Sequence, residues 1–330
     1  MRVGLTYDLK DEYLAAGYSP EDVAELDKVE TIDGIDNALR ELGHQTERIG
    51  SVRRLLECLG EGKRWDIVFN IAEGLAGLGR ESQVPTVLEI YGIPYTFSDP
   101  VTLGISLHKG MAKRVMQSAG IATPAFAEVR DEADIDPVDL PYPLFAKPLA
   151  EGSGKGISSK SRVNNKRELR ELCLDLLTRF RQPVLVETFL PGREFTVGVT
   201  GTGRNAECPG MMEVVFRKDK TTATNQIYGQ FTKDNYDDLV DYVPVREPDV
   251  ARSCEELALA AWRVLGGRDA GRVDVRFDGH GIANFIEVNP LPGLNYIHSD
   301  LPILCKMNGI SFTQLIGRIV ESAATRVRPA

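Results

Sequence analysis

Short apolar strands alternate with helices over about the first 95 residues, and this order is the strongest constraint on the fold of the chain. The strands are predicted at residues 2–6 and 66–70, and the helices at residues 30–42 and 84–91. The alternation predicts a parallel α/β domain whose ligands bind beyond the carboxyl ends of the strands. The glycine-rich segment 70–80 follows a strand and is therefore a candidate binding loop.

The pattern changes after Pro100, where strands and helices separate into runs. Strands are predicted at 143–148, 184–188, 194–200, 211–216, 272–277 and 284–288, and helices at 107–119, 165–181, 254–265 and 313–324. Runs of strands with segregated helices are typical of an α+β domain. The fold class is therefore predicted to be α/β followed by α+β.

Charge, apolar runs and cysteine spacing exclude several classes of protein. The formal net charge is −9, which disfavours a general nucleic-acid binder. Apolar runs stay below the roughly 20 residues of a membrane span, and the first residues are typical of a strand rather than a signal peptide. The five cysteines are scattered without CxxC spacing, which predicts reduced thiols in a cytoplasmic protein. We expect neither nucleic acid nor a membrane as a partner.

Asp274, Glu287 and Asn289 carry oxygen donors on two predicted strands. Glu287 and Asn289 are two positions apart, so their side chains point to the same face of a strand. Such donors suit hard divalent cations such as Mg²⁺, whose remaining coordination positions are filled by water and phosphate oxygens. Polar residues that merely end strands give the same pattern, so these three residues alone leave both interpretations open.

Two lysines and a glycine-rich turn are candidate phosphate contacts. Lys147 lies in an apolar strand, where a lysine is rarely buried without a partner, and Lys109 is the second candidate. The turn Glu151–Gly156 follows, and its backbone N–H groups could hold phosphate oxygens. The turn lacks the spacing of a Walker A loop, so a flexible hairpin is the alternative.

The segment after residue 186 suits a nucleoside. The backbone near Glu187 can hydrogen-bond an adenine edge, with Phe189 and Leu190 as apolar cover. Glu194 can accept hydrogen bonds from ribose hydroxyls. Each of these assignments is weak by itself, and their order along the chain is what gives them weight.

The candidate segments are Lys109, Phe145-Ala-Lys147-Pro, Glu151-Gly-Ser-Gly-Lys-Gly156, Glu187-Thr-Phe-Leu-Pro-Gly-Arg-Glu194, Gly271-Arg-Val-Asp274-Val and Ile286-Glu287-Val-Asn289-Pro-Leu-Pro-Gly293. In this order they resemble the ATP-grasp ligases, and within them the D-alanine–D-alanine ligases. The resemblance covers nearly the whole chain. It implies an ATP-grasp fold preceded by an N-terminal parallel α/β domain. The implied division is 1–98 for the substrate-binding domain, 99–182 for the central ATP-grasp subdomain and 183–330 for the C-terminal subdomain with the metal site.

The resemblance also implies roles for single residues. The implied contacts are Lys109 and Lys147 for the phosphates of ATP, Glu187, Thr188, Phe189 and Leu190 for adenine, Glu194 for ribose, and Asp274, Glu287 and Asn289 for two Mg²⁺ ions, or Mn²⁺ in their place. The implied catalytic residues are Arg272 at the reacting carboxylate, Ser153 in a loop over the phosphates and Lys233 in a second loop near 225–236. The implied reaction is ATP-dependent ligation of a carboxylate to an amine through an acyl phosphate. The implied partners are small amino-acid substrates and, in a homodimer, a second copy of the chain.

The substrate half departs from the family pattern. Asp8, Glu12 and Glu30 are the candidates for the carboxylate that holds the first substrate's ammonium group. Glu73 and Arg80 are candidate substrate contacts, and Ser299 is a candidate for the second substrate's carboxylate. Two alternatives therefore stay open beside D-alanine–D-alanine ligation: a ligase for another amino-acid or peptide pair, and a nucleotide-binding protein that does not catalyse ligation.

Overall fold

The computed structural model describes residues 1–152, 154–217 and 240–327. Its strands are β1 (Arg2–Thr6), β2 (Gln45–Gly50), β3 (Ile67–Asn70), β4 (Phe126–Val129), β5 (Leu144–Pro148), β6 (Arg162–Val163), β7 (Val184–Thr188), β8 (Glu194–Thr200), β9 (Met211–Phe216), β10 (Val240–Pro244), β11 (Ala270–Phe277) and β12 (Ala283–Asn289). Its helices are α1 (Lys10–Ala15), α2 (Val29–Glu41), α3 (Val52–Gly60), α4 (Gln83–Ile90), α5 (Pro100–Leu107), α6 (Lys109–Ser118), α7 (Lys166–Phe180), α8 (Pro248–Leu265), α9 (Asp300–Met307) and α10 (Phe312–Ala324). Within the described ranges, no helix is long and apolar enough to cross a membrane.

The N-terminal sheet is parallel, as the alternation of strands and helices predicts. β1 lies between β2 and β3 and pairs with both in parallel. Ile32, Ile35 and Leu39 of α2 recur at helical spacing and are buried in the same core as β1 and β3. The sequence pattern does not reveal β2, because Ile49 is the one fully buried residue of that strand.

The central sheet is antiparallel, in the order β4-β7-β5-β6. α7 packs on it through Leu169, Cys173 and Leu176. β7 hydrogen-bonds to β4 and β5, so the predicted boundary between residues 182 and 183 cuts through this sheet. Strand pairing thus places β7 in the central sheet, although the chain then continues directly into the C-terminal one.

The C-terminal sheet is also antiparallel, in the order β10-β9-β8-β11-β12. Trp262 of α8 is buried against it, and Ala112 and Met116 of α6 belong to the same core. Residues 100–118 therefore pack with the C-terminal sheet, although the predicted division assigns them to the central region. The helix predicted over 107–119 is the second of two, since the chain bends at His108, whose side chain accepts from the Met111 N–H at 3.1 Å.

The last two helices close the molecule against its first domain. Leu301 of α9 and Ile316 and Ile319 of α10 are buried in one core with β1 and α2. The end of the chain thus fixes the N-terminal sheet next to the C-terminal one.

Asp269 is a buried carboxylate at the junction of these regions. It accepts from the Phe97 N–H at 2.7 Å, from Ser322 Oγ at 2.8 Å and from two nitrogens of Arg326 at 2.6 and 2.8 Å. Its donors come from the end of the N-terminal domain and from α10 or the turn after it. A buried carboxylate needs such donors, because an unpaired charge inside a protein is strongly unfavourable.

Asp269→Ala should lower the free energy of unfolding by about 3 kcal/mol, because it leaves Arg326 and the Phe97 N–H without their partner. Urea unfolding followed by circular dichroism measures the change. Asp139 is exposed, so Asp139→Ala serves as the control and should stay within about 0.5 kcal/mol of the wild type. Equal losses in the two variants would contradict the role assigned to Asp269.

Candidate active site

Two adjoining cavities lie between the three sheets. The smaller, about 80 Å³, is lined by β5 and β7 of the central sheet and by β11 and β12 of the C-terminal sheet. The larger, about 300 Å³, lies between the N-terminal domain and the segment that follows β12. Lys109, Glu151 and Glu287 line both cavities, so the two meet at these side chains.

The smaller cavity collects all seven residues predicted to contact a nucleotide, which are Lys109, Lys147, Glu187, Thr188, Phe189, Leu190 and Glu194. Phe145, Leu190 and Ile286 give it apolar walls. Glu194 forms an ion pair with Arg276 at 2.9 Å, and the guanidinium of Arg276 also lies 5.0 Å from the centre of the Phe189 ring. A cavity with apolar walls and several charged side chains is suited to a nucleotide.

A row of buried charges forms the floor between the cavities. Glu187 lies 2.9 Å from Lys113 and 3.3 Å from Lys147, and the exposed fraction of each of the three side chains is at most 5%. Burial opposes ionisation of Glu187, but Lys113 and Lys147 outweigh it and hold the pKa of its carboxyl below the usual value. Glu187 is thus ionised and lies between two ammonium groups.

Glu287 extends this row across the two sheets. Its Oε2 lies 3.7 Å from Lys147 Nζ and 3.8 Å from Lys109 Nζ. Burial opposes the charge on Lys147, but Glu187 and Glu287 outweigh it and raise the pKa of that ammonium. Burial lowers the pKa of Lys109, because Glu287 only partly compensates for the lost water.

Four polar side chains share one face where β11 pairs with β12. Asp274 lies opposite Glu287, and Arg272 lies opposite Asn289. Opposed residues of an antiparallel pair point to the same face, so the four form one patch. Asp274 Oδ1 accepts from Thr196 Oγ1 at 3.0 Å and lies 3.5 Å from Arg272 Nη1.

The oxygens of this patch fit a hard cation such as Mg²⁺. Asp274 and Glu287 supply carboxylates, and Asn289 supplies an amide whose buried nitrogen has no hydrogen-bond partner in the structure. In the described part of the chain, no three His, Cys, Asp or Glu side chains come together as a metal site. An ion here would therefore complete its shell with phosphate and water, as Mg²⁺ commonly does.

The turn after β5 reaches the N-terminal domain. Glu25 Oε1 accepts from the Gly152 N–H at 2.5 Å, and its other oxygen pairs with Arg80 at 2.7 Å. Arg80 also donates to the Ala150 carbonyl at 2.9 Å. Gly156 has φ +76°, where a Cβ would come within 2.6 Å of Pro148, so the turn requires glycine there. Ser153 and Lys233, both predicted to be catalytic, lie outside the described residues.

Carboxylates dominate the N-terminal side of the larger cavity. Glu73, Glu81 and Asp27 line it. Burial raises the pKa of Glu73, and the nearby charges of Glu81 and Glu25 raise it further. Burial likewise raises the pKa of Glu81 and of Asp27, each to about 7. Burial is thus the main cause of the raised pKa values, although the charge of Arg80 lowers those of Glu73 and Glu81.

The other predicted substrate contacts are divided between the cavity and the surface. Ser299 lines the larger cavity, and its Oγ accepts from the Asn295 N–H at 3.0 Å. Arg80 is buried behind the cavity in its contact with Glu25. Glu30 is exposed on the first turn of α2. Glu25 and Asp27 line the cavity close to the position where Glu30 was expected to act.

A family model described as the D-ala D-ala ligase C-terminus matches residues 115–321, which is more than half of the chain. The D-alanine–D-alanine ligase of Aquifex aeolicus is 31% identical over 293 residues, covering 88% of this chain and 94% of that protein. The chain belongs to the D-alanine–D-alanine ligase family. The predicted family and its ligase class are therefore confirmed.

Solved structures show the same fold for this ligase. D-alanine–D-alanine ligase from Bacillus anthracis, complexed with ATP, has a TM-score of 0.72 at 21% identity and covers 99% of this chain and 98% of that one. VanG D-Ala:D-Ser ligase from Enterococcus faecalis has a TM-score of 0.75 at 19% identity, covering 98% of this chain and 99% of that one. The predicted ATP-grasp fold is confirmed.

Several residues of the site escape sequence reasoning. Lys113 lies one helical turn after Lys109 on α6. This spacing puts both lysines on one face of the helix and could have pointed to Lys113. Glu25 and Asp27 lie in a polar segment without periodicity, so nothing in the sequence directs them to the cavity. Asp300 follows Ser299 directly, but its contact with Arg272 of the ligase joins residues 28 positions apart.

Asp27→Asn should make the ligase less sensitive to alkaline pH. The native carboxyl has a pKa of about 7 against 3.8 in the unfolded chain, so the folded state holds its proton more tightly. That contribution to stability is complete below about pH 4 and disappears as the pH rises through about 7. Between pH 5 and 8, the wild type should therefore lose about 2 kcal/mol relative to Asp27→Asn.

Urea unfolding of both proteins at pH 5 and pH 8 measures this difference. The exposed variant Asp139→Asn serves as the control and should follow the wild type at both values. Parallel behaviour of the wild type and Asp27→Asn would show that Asp27 ionises normally in the folded ligase.

Proposed function

We propose that the protein is an ATP-dependent carboxylate–amine ligase that joins two amino acids through an acyl phosphate, with D-alanine as the first substrate to test. The observation that carries the proposal is the patch of Arg272, Asp274, Glu287 and Asn289 at the meeting point of two cavities. One cavity suits a nucleotide and the other suits a small polar molecule. A phosphoryl group would pass between them at this patch.

The smaller cavity is proposed to hold ATP. Adenine would lie between Phe145, Leu190 and Ile286, with the backbone of Thr188 and Phe189 at its edge. Glu194 would accept from the ribose hydroxyls, and Lys109 and Lys147 would contact the phosphates. The turn 151–156, with Ser153 in it, would cover the phosphates, and Lys233 would act from the second loop.

Asp274, Glu287 and Asn289 are proposed to hold Mg²⁺, or Mn²⁺, as two ions. When bound, such ions neutralise phosphate charge during phosphoryl transfer. Lys109 and Lys147 lie within 3.8 Å of Glu287 and would exchange this carboxylate for phosphate oxygens. The positive charge of the site therefore has a counter-charge both before and after the nucleotide binds.

The chain's own residues would promote both chemical steps. The carboxylate of the first substrate attacks the γ-phosphate and forms an acyl phosphate and ADP. The amine of the second substrate then attacks the acyl carbon, and phosphate leaves. Arg272 would stabilise the oxyanion of that step, and loss of one such donor typically slows a reaction about 100- to 1000-fold.

The larger cavity is proposed to hold the amino acids. Glu73, Glu81 and Asp27 would accept an ammonium group, whose charge would favour their ionised forms. Ser299 would contact the second substrate. Arg80 would hold Glu25 and the turn 151–156 in place. Glu30 would act only from the rim of the larger cavity.

A ligase for a different amino-acid or peptide pair is the second candidate function. The number of carboxylates around the larger cavity favours it, because one ammonium group needs only one or two of them. The product of D-alanine ligation would serve peptidoglycan precursor synthesis in the cytoplasm. A homodimer remains a prediction from the family resemblance. The absence of nucleic-acid and membrane partners remains a prediction from net charge and from the length of the apolar runs.

The test is ADP release with Mg²⁺ and ATP in the presence of pairs of amino acids, D-alanine first, with product masses measured by mass spectrometry. ADP together with D-alanyl-D-alanine supports the first candidate, and ADP with another product supports the second. Nucleotide binding without ADP release for any pair would reject ligation and favour a non-catalytic nucleotide-binding protein.

Glu287→Gln should lower ADP release at least about 100-fold, because it removes a metal carboxylate and the shared partner of Lys109 and Lys147. The same assay at saturating substrate measures it, with thermal unfolding as the check on folding. Glu256→Gln, on the exposed face of α8, should keep full activity. Unchanged turnover in Glu287→Gln would exclude the metal assignment.

A further inference from the structure

Arg272 lies in the larger cavity with two carboxylates of the chain against one of its nitrogens. Nη1 is 3.5 Å from Asp274 Oδ1 and also contacts Asp300 Oδ2. The exposed fractions of the three side chains are 9%, 13% and 10%, so these charges interact through protein rather than water. The charge of Arg272 is therefore balanced by the protein before any substrate enters.

The two carboxylates have different surroundings. Asp274 lies opposite Glu287 in the patch proposed to hold metal, so a cation would share its charge. Asp300 lies on the other side, at the first position of α9, directly after Ser299. Asp300 and Ser299 line the larger cavity, whereas Asp274 lines the smaller one. Asp300 thus lies between the arginine and the serine proposed to contact the second substrate.

The segment that carries Asp300 is fixed in place. The Ser299 N–H donates to the Asn295 carbonyl at 3.0 Å, and Asn295 Nδ2 donates to Thr31 Oγ1 of α2 at 3.0 Å. Asn295 is buried, and Leu301 is buried in the core of the N-terminal domain. Moving Asp300 away from Arg272 would therefore disturb packing on both sides of the cavity.

We propose that Asp300 selects the amine substrate, so that the ligase prefers an amine with no carboxylate on the carbon that bears the nitrogen. Amino-acid amides and the N-terminal residues of peptides belong to this class. The inference rests on the proposed ligase function and, within it, favours the second candidate, a different amino-acid or peptide pair.

The physical reason is repulsion between like charges at a buried site. A free carboxylate that approached Arg272 and Ser299 would lie against Asp300 in a cavity where water screens little. An amide at the same place carries no charge, and its N–H can donate to the carboxylate of Asp300.

The experiment is a competition between two amines in the full-length enzyme. The donor acid is D-alanine, or whichever acid gives ADP release, and the competing amines are D-alanine and D-alaninamide at equal concentration. D-Alaninamide has no carboxylate and serves only as an amine substrate. Mass spectrometry measures the ratio of the amidated product to the product with a free carboxylate.

The amidated product should exceed the other at least ~10-fold in the wild type, and Asp300→Asn should lower this ratio at least ~10-fold. The experiment measures the product ratio and not the rate, because a changed position of Arg272 would slow the reaction of both amines equally. Asp139→Asn is the matched control on an exposed aspartate and should leave the ratio unchanged.

A wild type that favours the free carboxylate, or an unchanged ratio in Asp300→Asn, would overturn the inference. The absence of ADP release with every pair would instead reject the proposed function. Calorimetric titration of D-alaninamide needs no turnover and tests Asp300 in that case too. The wild type should bind it at least ~10-fold more tightly than Asp300→Asn, and equal affinities would overturn the inference.

Discussion

The site depends on a row of alternating charges that are buried except for Glu287, whose side chain is 20% exposed. Lys113, Glu187, Lys147, Glu287 and Lys109 follow one another within 3.8 Å and connect α6 and the central sheet to β12. Each charge is tolerable inside the protein only because the next one has the opposite sign. Since its members come from separate elements, the row forms only when the two sheets face each other correctly. Its burial therefore links the fold to the nucleotide site.

The same row explains why the two cavities meet where they do. Lys109 begins α6, which packs in the core of the C-terminal sheet, while its ammonium group lines both cavities. Glu287 approaches from β12 and is shared by two lysines. At this point positive charge from one side faces carboxylates from the other. A polyphosphate could replace Glu287 as the partner of the lysines, and a cation could replace the lysines as the partner of Glu287. No buried charge would then be left alone, which suits phosphoryl transfer.

The residues of this half could be proposed from the sequence, because they lie in short segments with a fixed order. All seven predicted nucleotide contacts line one cavity, and Asp274 faces Glu287 as two adjacent strands require. The substrate half was harder to predict. Glu25, Asp27 and Asp300 owe their positions to contacts between distant segments, such as Glu25 with Gly152 and Asp300 with Arg272. Contacts between distant segments also explain why β7 and α6 pack across the predicted domain limits.

The difference between the halves has a physical origin in what each must recognise. A nucleotide offers a fixed set of charges and an apolar ring, so lysines, carboxylates and apolar walls recur in a regular order. The larger cavity must distinguish small molecules that differ by one charged group. Such discrimination comes from placing like charges against the wrong ligand as well as opposite charges against the right one. An aspartate in contact with the arginine of the site is a device of the first kind. Because Asp300 is buried, it repels a misplaced carboxylate more strongly than an exposed aspartate would.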